Sequence, residues 1–201
     1  DGHHVRLLAN IGTVSDAVFA GQNEDVEGIG LFRTEFMFLG KASAPTLEEQ
    51  TKEYARVLRA MGNRKVVVRT LDAGADKPLS FASTREEENP ALGPRGLRLS
   101  MVREDLIDTQ LQALAAADSQ TDADLWVMAP IVSTIEEARW FTDHARAAGL
   151  KRVGIMIEVP AAALRAKKLA KVVDFFSIGS NDLAQYTMGA DRTDAVHAQL
   201  L

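Results

Sequence analysis

Short, nearly continuous apolar runs recur along the chain, and segments with helical periodicity alternate with them. Strands that lack polar alternation are buried on both faces, which is typical of parallel sheets. Strict alternation of such strands with helices predicts an α/β fold. Seven runs are predicted as strands, of which the fourth is the weakest. They span residues 5–12, 28–35, 65–71, 97–100, 125–132, 153–159 and 175–180. The segments between them include a charged amphipathic helix predicted at 47–62, which ends on Gly62, and a helix predicted from Pro160 to about Val172.

The number of units bears on how the sheet closes. A closed (β/α)8 barrel of the TIM type needs eight units and usually about 250 residues, whereas this chain has 201 residues. We interpret residues 1–201 as one (β/α) barrel domain that is incomplete at its C-terminus, with about seven units and the eighth missing. An open doubly wound sheet is the structural alternative. The GxGxxG turn of a dinucleotide binder is absent after the first strand.

Composition limits the classes of partner. The chain has 23 basic and 28 acidic residues, a net charge of −5, which argues against a general nucleic-acid surface. It has no Cys, which excludes disulfides and thiolate metal sites. Without an apolar run of about 18 residues, no membrane span is expected. We therefore predict a cytoplasmic protein.

One segment interrupts the alternation. Residues 72–95 form a 24-residue stretch rich in Gly, Pro and charge. A loop of this length within a compact domain is usually functional or disordered. A solvated surface loop is the alternative.

Polar residues follow several of the predicted strands at the point where each strand ends. Arg33 and Arg69 end the second and third strands, Glu158 ends the sixth, and Asn181 and Asp182 follow the seventh. The carboxyl ends of barrel strands form the face where such folds build active sites. We therefore expect two arginines to face two carboxylates across one opening.

These residue types suggest a division of labour. Glu158 and Asp182 can share a Mg²⁺ ion, which proteins usually hold by one or two carboxylates, with water and substrate oxygens in the other positions. Arg33 and Arg69 suit a phosphate or carboxylate, because a guanidinium group donates two parallel hydrogen bonds. The predicted ligand is a small dianion or trianion bridged to Mg²⁺. Surface ion pairs for the arginines and helix caps for the Asn-Asp pair are the alternatives.

At these residues the sequence resembles a known family. The motifs that carry the resemblance run from near the N-terminus to Arg192. They are LLANIG, GIGLFRTEFMFL, VVVRTLDAGADKPL, NPALGPRGLRL, GIMIEVPAAAL and FFSIGSNDLAQYTMGADR. They resemble the phosphoenolpyruvate-binding barrel of Enzyme I of the bacterial phosphotransferase system. The barrels of pyruvate phosphate dikinase and phosphoenolpyruvate synthase are next nearest.

The resemblance implies roles for four arginines. Arg33 in LFRTE and Arg69 in VVRTLD resemble the family's phosphate-binding arginines, and Arg95 in LGPRG resembles a further active-site arginine. The family implies that these three are catalytic. Arg192 in GADR resembles the residue that binds the substrate carboxylate.

The resemblance also implies a metal site. Glu158 in MIEVP and Asp182 in SNDL resemble the Mg²⁺ ligands of the family, and Asn181 resembles a phosphate contact. Together with Arg33 and Arg69, Asn181 and Asp182 are therefore expected to bind substrate.

The family implies phosphoryl transfer from phosphoenolpyruvate, leaving pyruvate, to a histidine on an N-terminal domain absent here. The phosphoryl group then passes to HPr for sugar uptake, and the full-length enzyme is a homodimer. The family's proton donor is a Cys after the eighth strand, and this chain contains neither. We therefore expect a fragment that does not turn over alone.

Three alternatives stay open. The first is a dikinase or synthase barrel, and the second is a Mg²⁺-dependent enolpyruvate lyase or aldolase. The third is a non-enzymatic dimerisation module, which is compatible with the phosphotransferase reading.

Overall fold

A computed structural model of the chain describes residues 2–74, 79, 81–82, 88–192, 194 and 196. Within these ranges six strands form one sheet, in which every neighbouring pair is parallel and the spatial order follows the chain. The strands are β1 (Leu8–Ile11), β2 (Gly28–Arg33), β3 (Lys65–Arg69), β4 (Asp124–Ala129), β5 (Val153–Ile157) and β6 (Phe175–Ile178).

The sheet curls into a half-barrel with helices between consecutive strands. This arrangement confirms the predicted α/β fold and is consistent with an incomplete TIM-type barrel. Short 3₁₀ turns at Thr34–Met37 and Pro90–Leu92 add to the connections. The helices are α1 (Val14–Gln22), α2 (Leu47–Met61), α3 (Leu97–Val102), α4 (Glu104–Asp118), α5 (Ile135–Ala147), α6 (Pro160–Leu164), α7 (Ala166–Leu169) and α8 (Ser180–Met188).

The predicted fourth strand at 97–100 is wrong, because these residues begin helix α3. Strand β3 pairs directly with β4 from Lys65 to Arg69, so the sheet has no position between them for another strand. Four residues of alternating character are too few to distinguish a strand from a helical turn. The described part of the chain therefore contains six strands, not seven.

Helix ends follow the local chemistry of the sequence. Thr46 and Glu49 form a reciprocal capping box at the start of α2, and Gly62 ends this helix with a positive φ of 62°. Both ends agree with the helix predicted at 47–62. The single helix predicted from Pro160 to about Val172 is wrong, since it breaks at Arg165 into α6 and α7.

The main core lies between the sheet and its outer helices. Val66 and Val68 of β3 point into it together with Leu58 of α2 and Leu114 of α4, and all four are at most 1% exposed. Burying one such side chain contributes roughly 1.5–3 kcal/mol. This apolar layer fixes the sheet against its helices.

The concave face of the half-barrel places polar residues at the strand ends. A small apolar cluster lines this face, formed by Val67, Met128 and Met156 with Leu31 packed against it. Side chains two residues apart on a strand share a face. A charged residue follows an inner apolar residue at this interval at the ends of β2 and β3 and directly after β5. The pairs are Leu31 and Arg33, Val67 and Arg69, and Met156 and Glu158.

The long connection after β3 is partly packed. Four of its described apolar residues form a second cluster with Phe38 and Leu106, and Asp72 is also buried. The cluster members from the connection are Leu71, Ala73, Leu79 and Ala82. A wholly solvated loop is therefore wrong for these residues, whereas 75–78, 80 and 83–87 lie outside the described residues.

No helix in the described ranges combines the length and apolar character needed to cross a bilayer.

Candidate functional site

A cavity of about 400 Å³ opens at the carboxyl ends of the strands. It brings together residues that the sequence predicted to converge from both sides of the half-barrel. Its charged and amide side chains come from β1, β2, β3 and the segments that follow β3, β5 and β6. They are Asn10, Arg33, Arg69, Asp72, Glu158, Asn181, Asp182 and Arg192.

Arg33 and Arg69 occupy paired positions on adjacent strands. Their Cα atoms are direct partners in the register of β2 and β3. Arg33 is exposed, and its guanidinium carbon lies 5.3 Å from the ring centroid of Phe36. Among the described residues it forms no ion pair within 4.0 Å. Its charge therefore stays available to a ligand in the cavity.

Arg69 is buried among three carboxylates. Its Nη2 lies 2.5 Å from Glu35 and 3.3 Å from Asp72, and its Nη1 lies 4.0 Å from Glu158. Burial acts to lower the pKa of Arg69, but Glu35, Asp72 and Glu158 outweigh it and raise that pKa above its ordinary value. The guanidinium group is thus held charged and in one orientation beneath the cavity.

Arg95 is buried behind the cavity and is not among its lining residues. Its Nε and Nη2 donate to the two oxygens of Asp72 at 3.3 and 3.1 Å, and its Nη1 donates to Asp182 at 3.0 Å. Tyr186 accepts from Arg95 at 3.3 Å and donates to the carbonyl of Ala91. Arg95 therefore orients two carboxylates of the site, and its catalytic role stays a prediction.

Glu158 is held in place from the side of β4. Its Oε1 accepts the N–H of Ile131 at 2.7 Å, and the residue is 1% exposed. Ile131 has a φ of 51°, which is strained for a β-branched residue and orients this N–H toward the carboxylate. Burial, with a contribution from Asp72, raises the pKa of Glu158 to about 7.

Gly179 leaves room beside Glu158. Its φ of −91° suits any residue, so backbone strain does not explain a glycine here. A Cβ at this position would lie 2.7 Å from Glu158 Oε2 and 2.9 Å from Met156 Sδ. The missing side chain thus keeps that oxygen uncovered. Helix α8 begins at Ser180, and its first N–H groups lie where an anion is favoured.

The buried charges form a single cluster. Every charged residue that is buried in the described part of the chain belongs to it. Four carboxyl groups stand against two guanidinium groups, which leaves an excess of two negative charges when all four are ionised. The members are Glu35, Arg69, Asp72, Arg95, Glu158 and Asp182.

This donor set fits a divalent cation. The excess negative charge matches Mg²⁺, and the space at Gly179 leaves Glu158 Oε2 uncovered. In the ranges that the structure describes, no group of three or more His, Asp or Glu side chains is arranged as a metal site. Glu158 and Asp182, which both line the cavity, would leave the other positions of a Mg²⁺ ion to water and substrate oxygens.

Several residues of the site were not predicted from the sequence. Glu35 and Asp72 each lie two or three residues from a predicted arginine, and their acidic character beside an arginine at a strand end was the available signal. The roles of Ile131 and Gly179 depend on a dihedral angle and on a contact across strands. The sequence carries no comparable signal for them.

Comparison with known proteins agrees with this geometry. The family model described as "PEP-utilising enzyme, PEP-binding domain" matches residues 1–201. Relatives named phosphoenolpyruvate-protein phosphotransferase align over 96% of the chain. The Streptomyces coelicolor protein is 52% identical over 194 residues, the Listeria monocytogenes protein 47% over 204, and the Haloferax volcanii protein 44% over 205.

The chain spans 35% of the length of the first two relatives and 36% of the third. The match over the whole chain, together with the cavity at the strand ends, identifies the chain as a member of the family of PEP-binding domains of PEP-utilising enzymes.

Proposed function

We propose that the chain binds phosphoenolpyruvate with Mg²⁺ in the cavity at the strand ends. In this proposal it is the donor-binding domain of a phosphoenolpyruvate-protein phosphotransferase. The observation that carries the proposal is the convergence of Arg33, Arg69, Glu158 and Asp182 on one cavity. The names of the relatives favour this function over a dikinase, a synthase, a lyase or an aldolase.

Two arginines and a helix start would bind the phosphoryl group. Arg33 is exposed to the cavity, and Arg69 is fixed by its carboxylate partners. Asn181 lies in the first turn of α8, where backbone N–H groups favour an anion. Each charge-assisted hydrogen bond contributes roughly 1.5–3 kcal/mol. As the phosphoryl group moves, the arginines would offset its charge while it transfers.

The other end of the substrate would face Arg192, which also lines the cavity. Glu158 and Asp182 would hold Mg²⁺. When bound, Mg²⁺ would supply positive charge that stabilises the enolate of the departing pyruvate. Arg95 would act on the site through Asp72 and Asp182, because it bonds to both of them.

The remaining parts of the proposal concern the full-length enzyme. Its acceptor would be a histidine on an N-terminal domain outside this chain, and the phosphoryl group would then pass to HPr for sugar uptake. The enzyme would be a cytoplasmic homodimer. The share of the relatives that this chain spans is consistent with further domains.

Calorimetric titration with phosphoenolpyruvate, with and without Mg²⁺, tests the proposal. We expect binding to weaken at least about tenfold, or 1.4 kcal/mol, when Mg²⁺ is removed. Glu158→Ala is expected to weaken it similarly even with Mg²⁺ present. The matched control is Glu136→Ala, which removes an exposed carboxylate in the first turn of α5.

The control is expected to bind as the unmodified chain does. Binding that is indifferent to Mg²⁺ and to Glu158→Ala would contradict the proposal. Pyruvate carries the same carboxylate but no phosphate. If Arg33 and Arg69 bind the phosphoryl group, pyruvate binds more weakly than phosphoenolpyruvate.

A further inference from the structure

Gln110 connects helix α4 to the ends of two strands through a buried side chain. The residue is 1% exposed. Its Oε1 accepts the N–H of Leu71 at 2.9 Å, and its Nε2 donates to Thr34 Oγ1 at 3.1 Å and to the Tyr54 hydroxyl at 2.8 Å. Both donors of the amide are therefore in use, and its oxygen is bonded as well.

These bonds reach the residues that flank both arginines of the cavity. Thr34 directly follows Arg33, and its hydroxyl donates to the carbonyl of Arg69 at 2.9 Å. Leu71 lies two residues after Arg69. Arg33 and Arg69 are themselves register partners. The Gln110 amide is thus hydrogen-bonded to both segments that directly follow β2 and β3.

The amide has only one workable orientation. Leu71 supplies an N–H, so it must meet the amide oxygen. Thr34 uses its hydroxyl hydrogen on Arg69, so it can only accept from the amide nitrogen. A flipped amide would leave buried polar groups without partners, which is unfavourable by about 1–3 kcal/mol each. The direction of every bond in this part of the network is therefore fixed.

The network continues away from the cavity. The Tyr54 hydroxyl donates to Gln50 Oε1 at 3.2 Å, and Gln50 Nε2 donates to the carbonyl of Pro45 at 2.9 Å. Tyr54 and Gln50 are each 1% exposed. Gln50 lies in the same network but has no hydrogen bond to either strand end, which makes it a natural comparison for Gln110.

We propose that Gln110 is a positioning residue for Arg33 and Arg69, and that it sets the direction in which these two side chains leave the ends of their strands. The inference rests on the proposed function, because the benefit of that orientation is phosphoryl binding. Gln110 itself does not line the cavity. Its effect reaches a ligand only through the backbone of the two strand ends.

The test compares Gln110→Met with Gln50→Met. Each change removes a buried amide from the network, so both are expected to lower the melting temperature. Only Gln110→Met is expected to weaken phosphoenolpyruvate binding, by about tenfold in the calorimetric Kd. Gln50→Met is expected to bind within twofold of the unmodified chain. A purely structural role for Gln110 would instead leave the Kd of both variants unchanged.

A second variant, Thr34→Val, tests the inference even if Gln110→Met does not fold. Thr34→Val has nearly the same shape as the original residue and breaks only the hydroxyl link between the amide and Arg69. It is expected to weaken binding in the same direction. Unchanged affinity in Thr34→Val would overturn the inference.

A ligand-free measurement separates this inference from the proposed function. The NMR signal of the Arg69 Nε–H group reports on the orientation of its guanidinium. We expect Gln110→Met and Thr34→Val to shift this signal and Gln50→Met to leave it in place. If the unmodified chain fails to bind phosphoenolpyruvate, the proposed function fails, and this signal still decides whether Gln110 positions Arg69.

Discussion

Arg95 and Asp182 form a buried ion pair, with 3.0 Å between Nη1 and Oδ1, although 87 residues separate them in the sequence. The pair joins the long connection after β3 to the first turn of α8, and Tyr186 adds a second bond between the same two segments. Asp182 therefore already has a cationic partner where the proposed function assigns it to Mg²⁺. Arg95 and the metal ion are expected to compete for, or share, this carboxylate.

Removal of Arg95 is expected to destabilise the fold. Arg95→Met leaves Asp182 buried without its cation and Asp72 with Arg69 alone, and loss of one partner of a buried pair typically lowers stability by about 3–5 kcal/mol. Urea unfolding measures this effect. Mg²⁺ is expected to raise the melting temperature of Arg95→Met more than that of the unmodified chain.

The control is Arg146→Met, which removes the half-exposed pair with Asp174. We expect it to change stability by less than about 1 kcal/mol. An equal loss of stability in Arg95→Met and Arg146→Met would contradict this prediction. So would an equal rise in melting temperature with Mg²⁺ in Arg95→Met and in the unmodified chain, because Arg95 would then not neutralise the carboxylates of the site.

Gly179→Ala is expected to block the site while the chain stays folded. The added methyl group would approach Glu158 Oε2 and Met156 Sδ at less than 3.0 Å, although the backbone there accepts alanine. We expect Mg²⁺-dependent binding of phosphoenolpyruvate to weaken by at least about tenfold, or 1.4 kcal/mol, in calorimetry.

Gly62→Ala serves as the control for Gly179→Ala, because at Gly62 the backbone angle and not the available space disfavours alanine. Gly62 has open space around its Cα but a positive φ of 62°. Alanine at this position is expected to lower stability by about 1 kcal/mol without changing affinity. Retained affinity in Gly179→Ala would remove the argument that Glu158 Oε2 must stay uncovered.

Arg33 and Arg69 are expected to respond differently to removal. Arg33→Ala removes an exposed cation that has no ion pair in the described part of the chain, so the melting temperature stays unchanged. Its affinity for phosphoenolpyruvate falls by roughly 10- to 100-fold, the equivalent of one charge-assisted contact. Arg69→Ala also leaves Glu35 without its cation and Asp72 with Arg95 alone.

The second substitution is therefore expected to lower stability by about 3–5 kcal/mol in addition to affinity. Calorimetry and urea unfolding on the same samples separate the two effects. A stable Arg69→Ala variant would contradict the view that its carboxylate partners depend on it.

The raised pKa of Glu158 predicts how stability changes with pH in the absence of metal. Its pKa is about 7 in the folded chain, compared with an ordinary value of 4.5. Between these values the unfolded chain loses a proton that the folded chain retains. Stability contributed by this group is therefore full below pH 4.5, falls as the pH rises, and is gone above about pH 7.

The loss is on the order of 3 kcal/mol, since one pKa unit corresponds to about 1.36 kcal/mol. Glu158→Gln retains an acceptor for the N–H of Ile131 but does not titrate. The free energy of unfolding is measured in EDTA from pH 4 to 8 for both proteins. We expect it to decrease by this amount more in the unmodified chain than in Glu158→Gln. Parallel curves for the two proteins would refute the assignment.

Sequence periodicity predicted most of the fold because its signals were long. The run in β5 contains no polar residue, and Gly62 marks the end of the amphipathic pattern of α2. The prediction failed at 97–100, where four residues do not distinguish a strand from a helix. It also failed after Pro160, where a short pattern does not show that the helix breaks at Arg165. Those segments take their structure from packing against neighbours, which a short pattern does not encode.

The site was predictable to the extent that it lies at strand ends. Arg33, Arg69 and Glu158 could be placed because alternation fixes which face a strand residue occupies. Tyr186 and Gln110 could not, since their partners come from distant parts of the chain and their helical positions resemble any other. Hydrogen bonds across elements are a property of the folded chain, and no local pattern reports them.

The pairing of Arg33 with Arg69 across β2 and β3 has a consequence for how this site can change. The separation of two neighbouring strands in any sheet is about 4.8 Å and is maintained by the backbone ladder itself. The interval between the two guanidinium stems is thus inherited from the sheet and not from loop conformation. Insertions in the surrounding loops can change the shape of the cavity entrance and access to it. The distance between the backbones of Arg33 and Arg69 stays the same as long as the register of β2 and β3 is retained.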